Sequence, residues 1–141
     1  MNSMEATFVN PKNIPYIWPE VKPLIDKALV HSIGEMVSED VLYLLLEGTE
    51  HLCIGVDEDK NILSALVGEI IQYPRKKVLR IITWSTKSGY DYDPWMVLFD
   101  TIEDFAKQNG CSAIEAWARK GLARKLKWDH QYAVLTKHLG G

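Results

Sequence analysis

The chain has 141 residues, 47% hydrophobic and 25% charged, the balance of an ordinary globular domain. That length supports one domain, residues 1–141, with a sizeable core and little room for a second. A formal net charge of −3 argues against electrostatically driven binding to bulk nucleic acid, though a local basic patch stays open.

In chain order, Ala6 to Val9 is a short apolar start and NPKNIP a loop. Pro19 is expected to open a helix, since its missing N–H is not needed in a first turn. Val21, Leu24, Ile25, Ala28 and Leu29 then recur at helical spacing and give one apolar face through about His31. Ser38 reads as an N-cap, followed by Glu39 and Asp40 where the helix dipole favours acids. The helix it opens carries Val41, Leu44 and Leu45 and stops at Gly48.

Strands come next. His51 to Val56 is a short apolar run, and DEDKN a turn. Ile62 to Tyr73 is long and nearly all apolar, which predicts a strand covered on both faces. Pro74 and three basic residues turn the chain into a further strand, Val78 to Trp84. From Trp95 the period is helical again, with Trp95, Leu98, Phe99, Ile102, Phe105 and Ala106 on one face and Asn109-Gly110 as the stop. Ala113 to Ala118 reads as a strand, RKGLARKLK as a short basic helix, and Tyr132 to Lys137 as a last strand. The order β-α-α-β-β-β-α-β-α-β predicts an α/β (α+β) domain with a mixed, mostly antiparallel central sheet flanked by helices.

Several chemistries find no support in the spacing. Cys53 and Cys111 lack metal-ligand spacing and read as reduced core thiols. Asp57, Asp59 and Asn61 begin like a calcium loop, but Ile62 stands where glycine is needed and Gly68 where a bidentate glutamate is needed. The four histidines share no ligand spacing, so no metal is expected. MNSMEATFVN lacks the blocks of a signal peptide and no apolar run is long enough to span a bilayer, so a cytoplasmic protein is expected.

The ordered series HLCIGVDEDKNILSALVGEI and DTIEDFAKQNGCSAIEAWARKGLARKLKW resembles the GNAT superfamily of acyl-CoA-dependent N-acetyltransferases over nearly the whole chain. IWPEVKPLIDKAL, YPRKKVLRI, DPW and WARKGLARKL look especially like small GNAT-like proteins of tailed bacteriophages, which places the chain in host cytoplasm or virion. The resemblance implies acetyl transfer from acetyl-CoA to an amine. It sets the pantetheine arm along Ile82, Thr83 and Trp84, and the pyrophosphate at Lys87, Ser88 and Gly89.

That turn, TKSGYDYDPW, departs from the family pattern. Asp91 and Asp93 bring like charge toward a pyrophosphate, on the order of 2–3 kcal/mol each at ~6 Å and an effective dielectric of ~20. The other reading of the turn makes Asp93 a helix cap and Pro94 its first-turn residue. Ala123 stands where many relatives place a tyrosine acid. Glu69, the one acid inside a long apolar run, is either a base raised by burial, a structural residue or the partner of Arg80.

The segment from Ala116 to Trp128 carries Arg119, Lys120, Arg124, Lys125 and Lys127 and no acid. It is either a phosphate or acidic-partner site or a solvated face, with nucleic acid a weaker reading. Two functions follow: an N-acetyltransferase, or a non-catalytic phage-type GNAT-fold protein that binds a macromolecule or joins an assembly.

Overall fold

A computed structural model describes residues 4–30, 32, 34–87, 95–117, 124 and 126–140, the side chains of Trp95 and Met96 excepted. The elements are β1 (Glu5–Phe8), a 3-10 turn (Pro11–Asn13), α1 (Ile14–Leu29), α2 (Ser38–Glu47), β2 (Glu50–Val56), β3 (Ile62–Gln72), β4 (Lys77–Thr86), α3 (Trp95–Gln108) and β5 (Ala113–Ala116).

Helix α1 starts five residues before the expected Pro19. The apolar stripe already begins with the buried Ile14 and the half-buried Ile17 and Trp18, so the face to be covered is longer than the run from Val21 suggests. Pro15 lies in the first turn, where a missing N–H is harmless. Pro19 and Pro23 fall inside the helix but on its exposed side, where a carbonyl that lacks its helical N–H donor can be solvated. At α2 the Asp40 carboxylate accepts from the Val37 N–H at 2.9 Å, so Asp40 and not Ser38 closes the start of that helix. Gly48 ends it at φ 83°, a conformation open to glycine without strain.

Among the described residues the sheet runs β1-β2-β3-β4-β5. The first three pairings are antiparallel and β4–β5 is parallel. A single α/β domain with a mixed, mostly antiparallel sheet and helices on both faces is therefore what the chain forms. Residues 62–68 of β3 are all buried, as expected of a central strand between two layers.

One face packs Leu52, Ile54, Ala65 and Val67 against Val21, Leu24 and Ile25 of α1 and Val41 and Leu45 of α2. The other packs Cys53, Leu63, Leu66 and Leu79 against Leu98, Ile102 and Ala106 of α3. The α3 face is the expected one, with Phe99 and Phe105 half-buried at its margins; the side chain of Trp95 lies outside the described residues. Phe105 stacks on Phe8 at 4.0 Å.

DEDKN is a turn, as read: Asp57 Oδ1 accepts from the N–H groups of Asp59 and Asn61 at 2.9 and 2.8 Å. Cys53 is buried and Cys111 half-buried, both as free thiols. Among the described residues no helix is long and apolar enough to cross a membrane.

The expected last strand is not formed. Tyr132 to Lys137 lies in an exposed stretch without regular structure. Strand propensity reports fit to a neighbouring strand, and this segment lies against none. The expected basic helix falls mostly outside the described residues.

Candidate active site

Strands β4 and β5 pair from Val78 opposite Ala113 to Ile81 opposite Ala116, and there the pairing stops. β4 continues through Thr86 with β3 on its other side. Its β5-facing edge from Ile82 to Thr86 thus has no strand partner among the described residues, which leaves main-chain donors and acceptors for an extended ligand. The Lys27 ammonium donates to the Thr86 carbonyl at 2.7 Å, so α1 is tied to the end of β4.

A bulge shapes this edge. Val67 faces Thr83 while Gly68 faces Ile81, so Ile82 is an extra residue on β4. A Cβ at Gly68 would lie 3.1 Å from Leu79 Cδ1, so glycine there lets the end of that leucine pack close against the bulge. Thr83 and Ser85 are buried on the α1/α2 side, and their hydroxyl oxygens have no hydrogen-bond partner among the described residues. Trp84 turns to the opposite face and meets Phe99 edge-on at 5.1 Å. Lys87 is exposed at the strand end, held by its N–H to the Leu63 carbonyl at 2.7 Å. Ser88, Gly89, Asp91 and Asp93 lie outside the described residues.

Beyond the bulge, register aligns four charged residues in one row across the sheet. Glu50 is opposite Glu69, Glu69 opposite Arg80, and Arg80 opposite Glu115. Directly opposed residues share a face, so all four lie on the α1/α2 side. Arg80 pairs with Glu115, not Glu69: Nε donates to Glu115 Oε1 at 2.8 Å. Its Nη2 also donates to the Tyr73 hydroxyl at 3.0 Å, which in turn donates to Glu115 at 2.9 Å. The guanidinium stacks 4.4 Å over the Trp117 ring.

Glu69 is half-buried. Its neighbour Glu50 is only 2% exposed, and Glu50 Oε1 has no hydrogen-bond partner among the described residues. Burial, and then the Glu69 charge, pushes the Glu50 carboxyl up to about 7. Sequence reasoning missed Glu50 because it started the strand at His51. The signal was present, since Glu50, Leu52 and Ile54 alternate onto one face and two of the three are core residues. Of the basic segment, Arg124 is described and exposed; Arg119, Lys120 and Lys125 lie outside the described residues.

No family model matches the sequence, and no curated protein matches it. Solved structures do. An aminoglycoside acetyltransferase (meta-AAC0020) from an uncultured soil metagenomic sample, in complex with sisomicin, superposes with a TM-score of 0.73 at 14% identity, covering 97% of each chain. A GNAT family acetyltransferase of Staphylococcus aureus gives 0.68 at 17% identity, covering 97% of this chain and 99% of that one. The ribosomal-protein-alanine N-acetyltransferase of Brucella melitensis gives 0.71 at 11% identity, covering 98% and 100%.

The chain has the GNAT acetyltransferase fold. At these identities the likeness is one of fold, so what the GNAT fold does in this chain has to be argued from the residues at the parting of β4 and β5.

Proposed function

We propose that this chain is an N-acetyltransferase that moves an acetyl group from acetyl-CoA to an amine at the parting of β4 and β5. The observation that carries the reading is the β4 edge beyond Ile81, unpaired among the described residues, with the buried hydroxyls of Thr83 and Ser85 beside it, which have no hydrogen-bond partner among those residues. Such orphaned polar groups cost free energy unless a ligand supplies their partners. These residues fit the pantetheine arm of acetyl-CoA, which Ile82, Thr83 and Ser85 would hold, with Trp84 bracing the strand from the other face. Lys87, Ser88 and Gly89 would meet the pyrophosphate. When bound, acetyl-CoA supplies an activated thioester carbonyl.

The chain's own contribution is proton handling. An amine attacks only as its free base, so a residue must accept a proton near neutral pH. Glu69, one strand from β4, faces the acceptor, and Glu50 lies behind it. Glu50, whose carboxyl is pushed up to about 7 by burial and then by the Glu69 charge, is the neighbouring group that can hold a proton near neutral pH. Arg80 is engaged by Glu115 and Tyr73, so it orients the row and does not serve as the base.

Acetyl-CoA should raise the melting temperature, and thiol release should follow addition of an amine. The absence of both, no shift at millimolar acetyl-CoA and no thiol release with any member of an amine panel, would overturn the reading.

A second reading is favoured by Asp91, Asp93 and Ala123: a non-catalytic GNAT-fold protein of the tailed-phage type, acting in an assembly or binding a macromolecule. Its contact surface would be the one-signed segment with Arg119, Lys120, Arg124 and Lys125, toward an acidic protein surface and, less well, nucleic acid. Arg124 is exposed, so Arg124→Glu should leave the melting temperature unchanged and abolish capture of such a partner. Capture that survives Arg124→Glu and Arg119→Glu would remove this surface from consideration.

A further inference from the structure

Trp117 follows the last residue of β5 and is 69% exposed, a large ring left in water beside the parting of β4 and β5. It ends a row in which cations and rings alternate. The Lys76 ammonium lies 5.7 Å over the Tyr73 ring, the Tyr73 hydroxyl accepts from Arg80 Nη2 at 3.0 Å, and the Arg80 guanidinium lies 4.4 Å over Trp117. Glu115 accepts from Arg80 Nε at 2.8 Å and from the Tyr73 hydroxyl at 2.9 Å, so the guanidinium against the ring is fixed. One face of Trp117 is therefore held flat, and the other stays open.

Location gives the open face a use. Arg80 stands opposite Glu69, and the β4–β5 pairing stops one residue further on, at Ile81 and Ala116. Adjacent strands lie about 5 Å apart, so a ring stacked on Arg80 and the Glu69 carboxylate are within the span of one small molecule. Charge narrows what that molecule is. Glu115 offsets the charge of Arg80 and Glu50 is buried, which leaves Glu69 as the acid of this row that meets an incoming ammonium. The open face of Trp117 does not suit a second cation, because Arg80 already sits against the ring and like charges would face each other through it. It suits a neutral flat group, which gains offset stacking and buried area.

We propose that Trp117 sets the acceptor specificity, and that the acceptor is a primary amine with a single charge and a neutral aromatic body. The ammonium goes to Glu69 and the aromatic body lies on the open face of Trp117. This inference rests on the acetyl-transfer reading. It sets the site apart from one built for polycations, whose several ammonium groups would need several acids.

The test is ligand-observed NMR on the full-length protein at physiological salt, without acetyl-CoA. Phenethylamine is the probe, and butylamine and spermidine compete with it. Wild type should hold phenethylamine on the order of tenfold more tightly than either competitor. Trp117→Ala should erase that preference and Trp117→Phe should keep it, whereas Glu69→Gln should weaken all three amines. Circular dichroism should show both Trp117 variants folded, since the ring is exposed. With acetyl-CoA present, the KM values should follow the same order. Butylamine or spermidine binding as tightly as phenethylamine overturns the proposal. So does a preference that survives Trp117→Ala, binding indifferent to Glu69→Gln, or phenethylamine that does not bind. Thiol release with polyamines alone would leave acetyl transfer standing and remove this acceptor. Selective phenethylamine binding without thiol release would do the reverse, upholding the aromatic amine site and overturning acetyl transfer.

Discussion

Glu50 stands directly opposite Glu69 on β2 and β3, a buried carboxyl facing a half-buried one. Its folded pKa, about 7, lies above the ordinary value of 4.5. The folded state therefore binds more protons between those values, and the Glu50 contribution to stability falls as pH rises from about 4.5 to about 7. His51, held below its usual value mainly by burial, works in the other direction at acid pH.

The Glu50→Gln variant isolates the first effect. The stability difference between variant and wild type should shift in the variant's favour by up to about 1.4 kcal/mol per pH unit across that window, and level off above it. Urea unfolding at half-unit steps measures this. A difference that does not vary with pH would show that Glu50 is ionised like an exposed acid.

The ion pair of Arg80 and Glu115 is partly screened, with side chains 19% and 26% exposed, but it is reinforced by Tyr73 and Trp117. Glu115→Gln should cost about 1–2 kcal/mol, and Tyr73→Phe about 1 kcal/mol. A double-mutant cycle between positions 80 and 115 should show coupling, whereas a cycle between 80 and 69 should not.

Ile102 is fully buried between α3 and the sheet, while Phe99 is half-buried. Ile102→Ala should cost about 2–5 kcal/mol. Phe99→Ala should fall short of the roughly 3–5 kcal/mol of a fully enclosed phenylalanine. Equal losses in denaturant unfolding would mean that Phe99 is better covered than its exposure indicates.

Asp91 and Asp93 should keep the acetyl-CoA dissociation constant above the low-micromolar range by calorimetry, through like charge near the pyrophosphate. Removing one charge, in Asp91→Asn, should tighten binding by on the order of tenfold, the equivalent of about 1.4 kcal/mol. An unchanged dissociation constant in a protein that binds acetyl-CoA would show that Asp91 points away from the cofactor.

The elements were legible in the sequence where local pattern and tertiary environment agree. The 3.6-residue stripe of Leu98, Ile102 and Ala106 sits on the sheet as read, and the continuous apolar run from Ile62 is a strand buried on both faces. The ordered series also led to the GNAT fold. Where local signals and packing compete, packing decided. Pro19 lies inside α1 because the stripe to be buried extends back to Ile14. Tyr132 to Lys137 forms no strand because a strand needs a neighbour to pair with, and among the described residues none lies against it. The candidate site was half visible. Glu69 stood out as a lone acid in an apolar run, but its neighbours Glu50, Arg80 and Glu115 are 19, 11 and 46 residues away in sequence and meet only through strand register. Periodicity places a residue on a face. Register, set here by the bulge at Gly68, decides which charges on that face stand side by side.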